Sequence, residues 1–227
     1  MKVSLLFPPT WHPSQPYLSL PSLTGFLTQA GVKNVSQRDL GIELLDKVLT
    51  QSYAHGLYQQ LVEKQRSLER ERTGETGPGS AEQLARVIES LDRFPYLFER
   101  IELAKETLRG EGFYDIEAYR NSLFLIDKWL EVLSSLYFPT RMTVVDNQFG
   151  DYSIYSSKDL IKAIRDEGQN PYISLFREHV LPSLLTDRPD LVGVSITATS
   201  QIIPGLTLCR LSKEHAPELH VTVGGSI

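Results

Sequence analysis

The sequence predicts an α/β fold: a Rossmann-like parallel sheet, incomplete at about four strands in the order 2-1-3-4, with a large helical insert between strands 2 and 3. Three observations predict it. Lys2-Val-Ser-Leu-Leu-Phe7 and Leu191-Val-Gly-Val-Ser-Ile196 are strand-length runs dominated by apolar residues, and the second is apolar on both faces, as a central parallel strand must be. Each run ends in a loop and is followed by a helical pattern, which gives the β-α-β order of a doubly wound sheet with right-handed crossovers. The stretch between the second and third strands is about 150 residues, far beyond a normal crossover, so it must carry structure of its own.

Strand 1 is Lys2 to Phe7. The following Pro8 to Pro16 holds four prolines in nine residues, so it can be neither helix nor central strand and reads as a stiff loop. A helix with Pro21 near its first turn and Leu23, Phe26, Leu27 and Ala30 on one face stops at Gly31. Strand 2 is short, Val35 to Arg38, with Asp39 at its end. Ile42, Leu45, Leu49, Tyr53, Leu57 and Leu61 then repeat at helical spacing to about Leu68. Thr73 to Ser80 reads as a flexible break, and Ser80 with Gln83 as a capping box for a helix disturbed by Pro95. Asp115, Ser156 and Asn170-Pro171 each read as the start of a further helix, and residues 138–155 as irregular and aromatic. Strand 3 is Leu191 to Ile196, a helix follows from about Gln201 to His215, and strand 4 is Leu219 to Val223 with Gly224-Gly225 as the turn beyond it. The domains expected are therefore a sheet unit of residues 1–40 and 189–227 and a helical insert of residues 41–188. Since no helical pattern follows Gly225, the sheet is expected to be truncated. Strand 4 is then an open edge, at which a homodimer can pair unless something covers it.

Charge is unevenly spread. Between Leu40 and Arg188 lie 18 of the 23 Lys and Arg residues and 24 of the 28 Asp and Glu residues, so the two flanking pieces carry too little charge for a fully solvated surface. A formal net charge of −5 argues against a nucleic-acid partner. The single cysteine, Cys209, excludes a disulfide framework and reads as a packing residue; with no secretory leader pattern and no apolar run of about 20 residues, a cytoplasmic protein with no membrane span is expected.

Ligands of an open parallel sheet bind at the carboxyl ends of its strands. That rule selects the Pro8 to Pro16 loop, Asp39, the segment Ser195 to Gln201, and Gly224 to Ser226. Candidate binding residues are Pro9, Thr10, His12, Ser195, Thr197, Thr199, Ser200, Gly224, Gly225 and Ser226, joined by the side chains of Ser14, Gln15 and Gln201 as neutral donors and acceptors. Hydroxyls near helix starts suit phosphate or amide groups, and paired glycines let a flat ligand approach the backbone. Each residue alone is equally an ordinary turn or cap residue; their convergence on one edge is the signal. The sequence contains no G-x-S-x-G, Walker A or G-x-G-x-x-G pattern, and His55, His179, His215 and His220 show no paired metal spacing, so neither a catalytic residue nor a metal ligand is assigned.

Val3 to Pro9, Leu20-Pro-Ser-Leu23, the Ser195-Ile-Thr197 turn and Gly224-Gly225 together resemble the N-terminal cobalamin-binding domain of B12-dependent radical SAM proteins. In that family a Ser-x-Leu or Ser-x-Thr turn is followed by a Gly-Gly pair at the spacing found here, where 28 residues separate Ser195 from Gly224. The resemblance covers the first and last forty or so residues. It implies a domain that takes a corrin on its carboxyl edge and presents it to a radical SAM domain absent from this chain. That domain would hold SAM and a 4Fe-4S iron–sulfur cluster, and the parent enzyme would be a methyltransferase or another cobalamin user. The sequence departs from B12 carriers in two places. Their Asp-x-His-x-x-Gly motif is Thr10-Trp-His12-Pro-Ser-Gln15 here, so His12 lacks the carboxylate that would orient a cobalt ligand. The three cluster cysteines are missing, so the expectation for this chain is cobalamin binding that is weak or absent and no radical chemistry of its own. Two other readings stand beside this one: half of a nucleotide-sugar transferase, and a helical interaction module with no small ligand.

Overall fold

A computed structural model of the chain describes residues 1–71 and 78–226. Its elements are, in order, β1 (Lys2–Phe7), α1 (Ser19–Gln29), β2 (Asn34–Asp39), α2 (Leu40–Val48), α3 (Gln51–Glu71), α4 (Pro78–Phe98), α5 (Ile101–Arg109), α6 (Ile116–Ser134), β3 (Arg141–Met142), β4 (Asn147–Gln148), α7 (Ser157–Ala163), α8 (Pro171–His179), α9 (Leu181–Thr186), β5 (Leu191–Ile196), α10 (Ile202–His215) and β6 (His220–Gly225). The fold is α/β with a four-stranded parallel sheet in the order β2-β1-β5-β6. The numbering departs from the expected 2-1-3-4 because two short strands, β3 and β4, pair antiparallel as a separate hairpin within the stretch expected to be irregular.

The chain divides into two compact units, Met1–Leu45 with Tyr152–Ile227, and Asp46–Asp151. The division therefore falls at 45/46 and 151/152, not at 40/41 and 188/189. The reason is packing: α8 lies against α10, and buried Asn170 donates to the Ala163 carbonyl at 2.9 Å and to the Thr207 hydroxyl at 2.8 Å, so residues 152–188 belong with the sheet.

Within the sheet unit, strand alternation assigns the two faces. Val3, Leu5 and Phe7 form a core with Leu20 of α1 on one side. On the other, Val192, Val194 and Ile196 are buried, and Ile196 reaches Gly205 of α10. The register sets Leu191, Gly193 and Ser195 beside Val3 and Leu5, and thus on the α1 side. Helix α1 packs on β1 and β2, and α10 on β5 and β6. The α1 side of β5 and β6 is therefore left open next to α1. Strand β6 is an edge, largely exposed along its length. Gly224 and Gly225 lie inside it, paired with Ser195 and Ile196, where the sequence had suggested a turn.

In the second unit α3 packs on α4 and α5 on α6. Trp129 is fully buried, donates to the Val48 carbonyl at 2.8 Å, and meets Phe94 with ring centroids 5.4 Å apart. The helix starts at Asp115, Ser156 and Asn170 are capped by those side chains. Ser80 is not a cap: α4 already begins at Pro78, and it continues through Pro95. Most of the expected break at Thr73 to Ser80 lies outside the described residues. The helical run after strand 2 breaks into α2 and α3, and the run after Asn170 into α8 and α9 with Pro182 at the new start. Tyr155 is 90% exposed.

Candidate functional site

A cavity of about 580 Å³ opens along the α1 side of β5 and β6. Its floor is Leu191, Gly193 and Thr222, and Leu23 and Leu27 of α1 stand beside it. The lining is mainly apolar. Gly193 makes the depression: a Cβ there would come within 3.0 Å of Leu5 Cδ2. Five of the sequence-derived candidates line the cavity: Ser195, Thr197, Gly224, Gly225 and Ser226. Gly225 has φ +145°, and a Cβ on it would sit 1.6 Å from the Ile196 carbonyl oxygen, so only glycine closes the strand pair there.

Two residues that the sequence did not single out, Tyr17 and Ser19, also line the cavity. Tyr17 stacks on Phe7 with centroids 5.4 Å apart and is held edge-on by Trp11 at 5.0 Å, which fixes the proline-rich loop above β1. Ser19, at the start of α1, lines the same cavity with its hydroxyl buried and without a hydrogen-bond partner. A buried polar atom left unpaired costs about 1–3 kcal/mol and calls for a reason. Ser195, which also lines the cavity, is only 5% exposed.

The remaining candidates stand on the neighbouring loops. Pro9 and Thr10 are buried, Ser200 donates its hydroxyl to the Thr10 carbonyl at 3.4 Å, and Thr199 is exposed. His12 Nδ1 accepts from the Ser14 backbone N–H at 3.3 Å and from the Ser14 hydroxyl at 2.8 Å. The neutral ring therefore carries its proton on Nε2, the opposite of the tautomer a metal-binding Nε2 requires. Gln201, expected to offer its amide to a ligand, is 0% exposed, and its side chain bonds within the protein. Its Oε1 accepts from the backbone N–H groups of Thr197 and Ala198 at 2.9 and 3.2 Å, and its Nε2 donates to the Pro8 carbonyl at 2.7 Å. Asp39 caps α2, accepting from the N–H groups of Gly41 and Ile42 at 3.0 and 3.1 Å. Burial pushes its carboxyl above the usual range, those two N–H groups pull it down in part, and nearby Glu43 adds to the rise.

Other groups offer less. Burial raises the Cys209 thiol to about 11, so it is an inert packing thiol at neutral pH. A cleft of about 360 Å³ in the helical unit is polar, but most of its charges answer one another: Arg93 binds Glu89 and Glu131, and Lys128 binds Glu131. Among the described residues no group of three or more His, Cys, Asp or Glu side chains is placed to hold a metal ion. Nor is any described helix long and apolar enough to cross a membrane.

Fold and cavity define the class: a parallel α/β unit with a mainly apolar, hydroxyl-bearing groove that runs to the carboxyl edge of its sheet. No family model, curated protein or solved structure matches this chain.

Proposed function

We propose that the sheet unit is a Rossmann-like binding domain for a large neutral cofactor of the cobalamin class. The observation that carries this reading is the groove itself, where Ser195, Thr197 and the Gly224-Gly225 pair line a mainly apolar cavity that runs to the carboxyl edge of the sheet. Such a groove suits an extended ligand arm. The apolar floor at Leu191 and Gly193 takes carbon surface, the hydroxyls of Ser195 and Thr197 meet amide or hydroxyl groups, and the glycines let a flat group approach the backbone.

Cobalamin, when bound, supplies a cobalt centre able to carry a methyl group. The residues of this chain contribute binding and exclusion of water. The His12 tautomer does not suit a lower cobalt ligand, so the reading assigns the metal no ligand from this chain. A single cysteine also cannot provide the thiolate set of a 4Fe-4S cluster, and radical chemistry with SAM is assigned to a separate domain.

Equilibrium dialysis of the chain against hydroxocobalamin tests the reading. With this groove the expectation of weak or absent binding becomes one of weak binding, saturable with a dissociation constant on the order of 0.1 mM, about 5.5 kcal/mol. It should weaken in the Ser195→Ala, Thr197→Val double variant, whose substitutions both fall on lining residues. Absence of saturable binding, or binding indifferent to those substitutions, would overturn it.

A further inference from the structure

We infer that Gln201 sets the ligand selectivity at Thr197 and Ala198 in the strand-end turn: it closes these two N–H groups to anions and leaves Thr197 as an acceptor for a ligand hydrogen-bond donor. This rests on the cavity reading above and deepens it. In open parallel sheets the turn after a central strand ordinarily offers free backbone N–H groups to phosphate. Here the two N–H groups in question, of Thr197 and Ala198, already point at Gln201 Oε1, at 2.9 and 3.2 Å. The side-chain amide cannot be reversed. One end meets two N–H donors and the other meets the Pro8 carbonyl, so oxygen and nitrogen are fixed by their partners.

That assignment determines the Thr197 hydroxyl. It lies 3.1 Å from Gln201 Oε1, which only accepts, so the hydroxyl donates its one proton there. Its lone pairs remain, and Thr197 lines the cavity. At that point the groove accepts a hydrogen bond and has none to give. A ligand group with N–H or O–H is favoured; a phosphate or carboxylate would set its oxygens against an oxygen. Gln201 itself is 0% exposed, so its amide is held by these protein partners and not by water. The ligand class is therefore neutral and donor-bearing, such as a primary carboxamide, and Gln201 is a positioning residue that acts through Thr197.

Two-dimensional ¹H–¹⁵N NMR of the chain tests this without need of a known ligand. Inorganic pyrophosphate is titrated, and the Thr197 and Ala198 amide signals are followed. In the wild type they stay in place and exchange slowly with solvent. In Gln201→Met the same signals exchange faster and move with pyrophosphate. Saturable movement of the two wild-type signals with pyrophosphate would overturn the inference whether or not Gln201→Met folds. Hydroxocobalamin dialysis separates this from the broader reading. Thr197→Val should bind about five- to tenfold more weakly than wild type while Thr197→Ser is unchanged, the loss expected for one acceptor. Equal binding by Thr197→Val would also overturn it. No cobalamin binding by the wild type, with pyrophosphate silent, would remove the cobalamin reading and leave the closed turn standing.

Discussion

Gln201 donates its side-chain amide to the Pro8 carbonyl at 2.7 Å, joining two loops that lie 193 residues apart in sequence. Those loops follow β1 and β5, neighbouring strands of the sheet, so one buried side chain holds the carboxyl edge together where the candidate cavity opens. The remaining expectations follow from how polar groups around this edge are, or are not, satisfied.

Ser19→Ala should make the chain more stable by about 1 kcal/mol, because it removes a buried hydroxyl that has no partner. Thermal unfolding checks this. A loss of stability in Ser19→Ala would mean that the hydroxyl already has a structural role.

Asp39 gives a pH signature. Burial raises its folded-state pKa above the ordinary 3.8, so its contribution to stability is greatest below that value and is lost as pH rises through the folded pKa. Asp39→Asn keeps an acceptor for the Gly41 and Ile42 N–H groups and carries no charge. It should melt at or above the wild type at pH 7, and the difference should shrink as the pH approaches 3.8. Asp39→Ala, which loses the cap, should cost about 1 kcal/mol. Melting curves across this range decide; a difference that grows toward acid would contradict the sign.

Gly225→Ala should be severely destabilising, by more than about 3 kcal/mol, since its Cβ would collide with the Ile196 carbonyl at 1.6 Å. Gly224→Ala meets nothing within 4 Å and should be nearly silent. Denaturant unfolding of the pair separates a steric requirement at Gly225 from a general need for glycine in β6.

We also propose that β6 mediates self-association, because it is an exposed edge of six residues with no proline. Light scattering should show mass rising with concentration, and Val223→Lys, at a position 47% exposed, should suppress the rise with little change in stability. A wild type that stays monomeric at high concentration would remove the expectation.

Much of the sheet was legible because its strands announce themselves locally. Leu191 to Ile196 is apolar on alternate residues of both faces, and the loops at Pro8-Pro9 and Gly31 are fixed by backbone chemistry. The caps at Asp115, Ser156 and Asn170 were legible for the same reason. What escaped depends on partners distant in sequence. Nothing near Ser19 tells that its hydroxyl is sealed without a partner, and nothing near Gln201 tells that its amide reaches Pro8. Gly193 reads as one more small residue in a strand until Leu5 and Thr222 are set on either side of it. The helices of residues 157–186 were assigned to the insert because the chain gives no sign that α8 packs on α10.

The most direct measurement is equilibrium dialysis of hydroxocobalamin against the wild type and Gly193→Ala, with melting temperatures recorded in parallel. Wild-type binding should saturate, and Gly193→Ala, whose new methyl rises from the cavity floor at 3.0 Å from Leu5, should bind about tenfold more weakly, a difference of about 1.4 kcal/mol, while remaining folded. A wild type that takes up no cobalamin, or a folded Gly193→Ala that binds as well as the wild type, would contradict a cofactor groove on this face of the sheet.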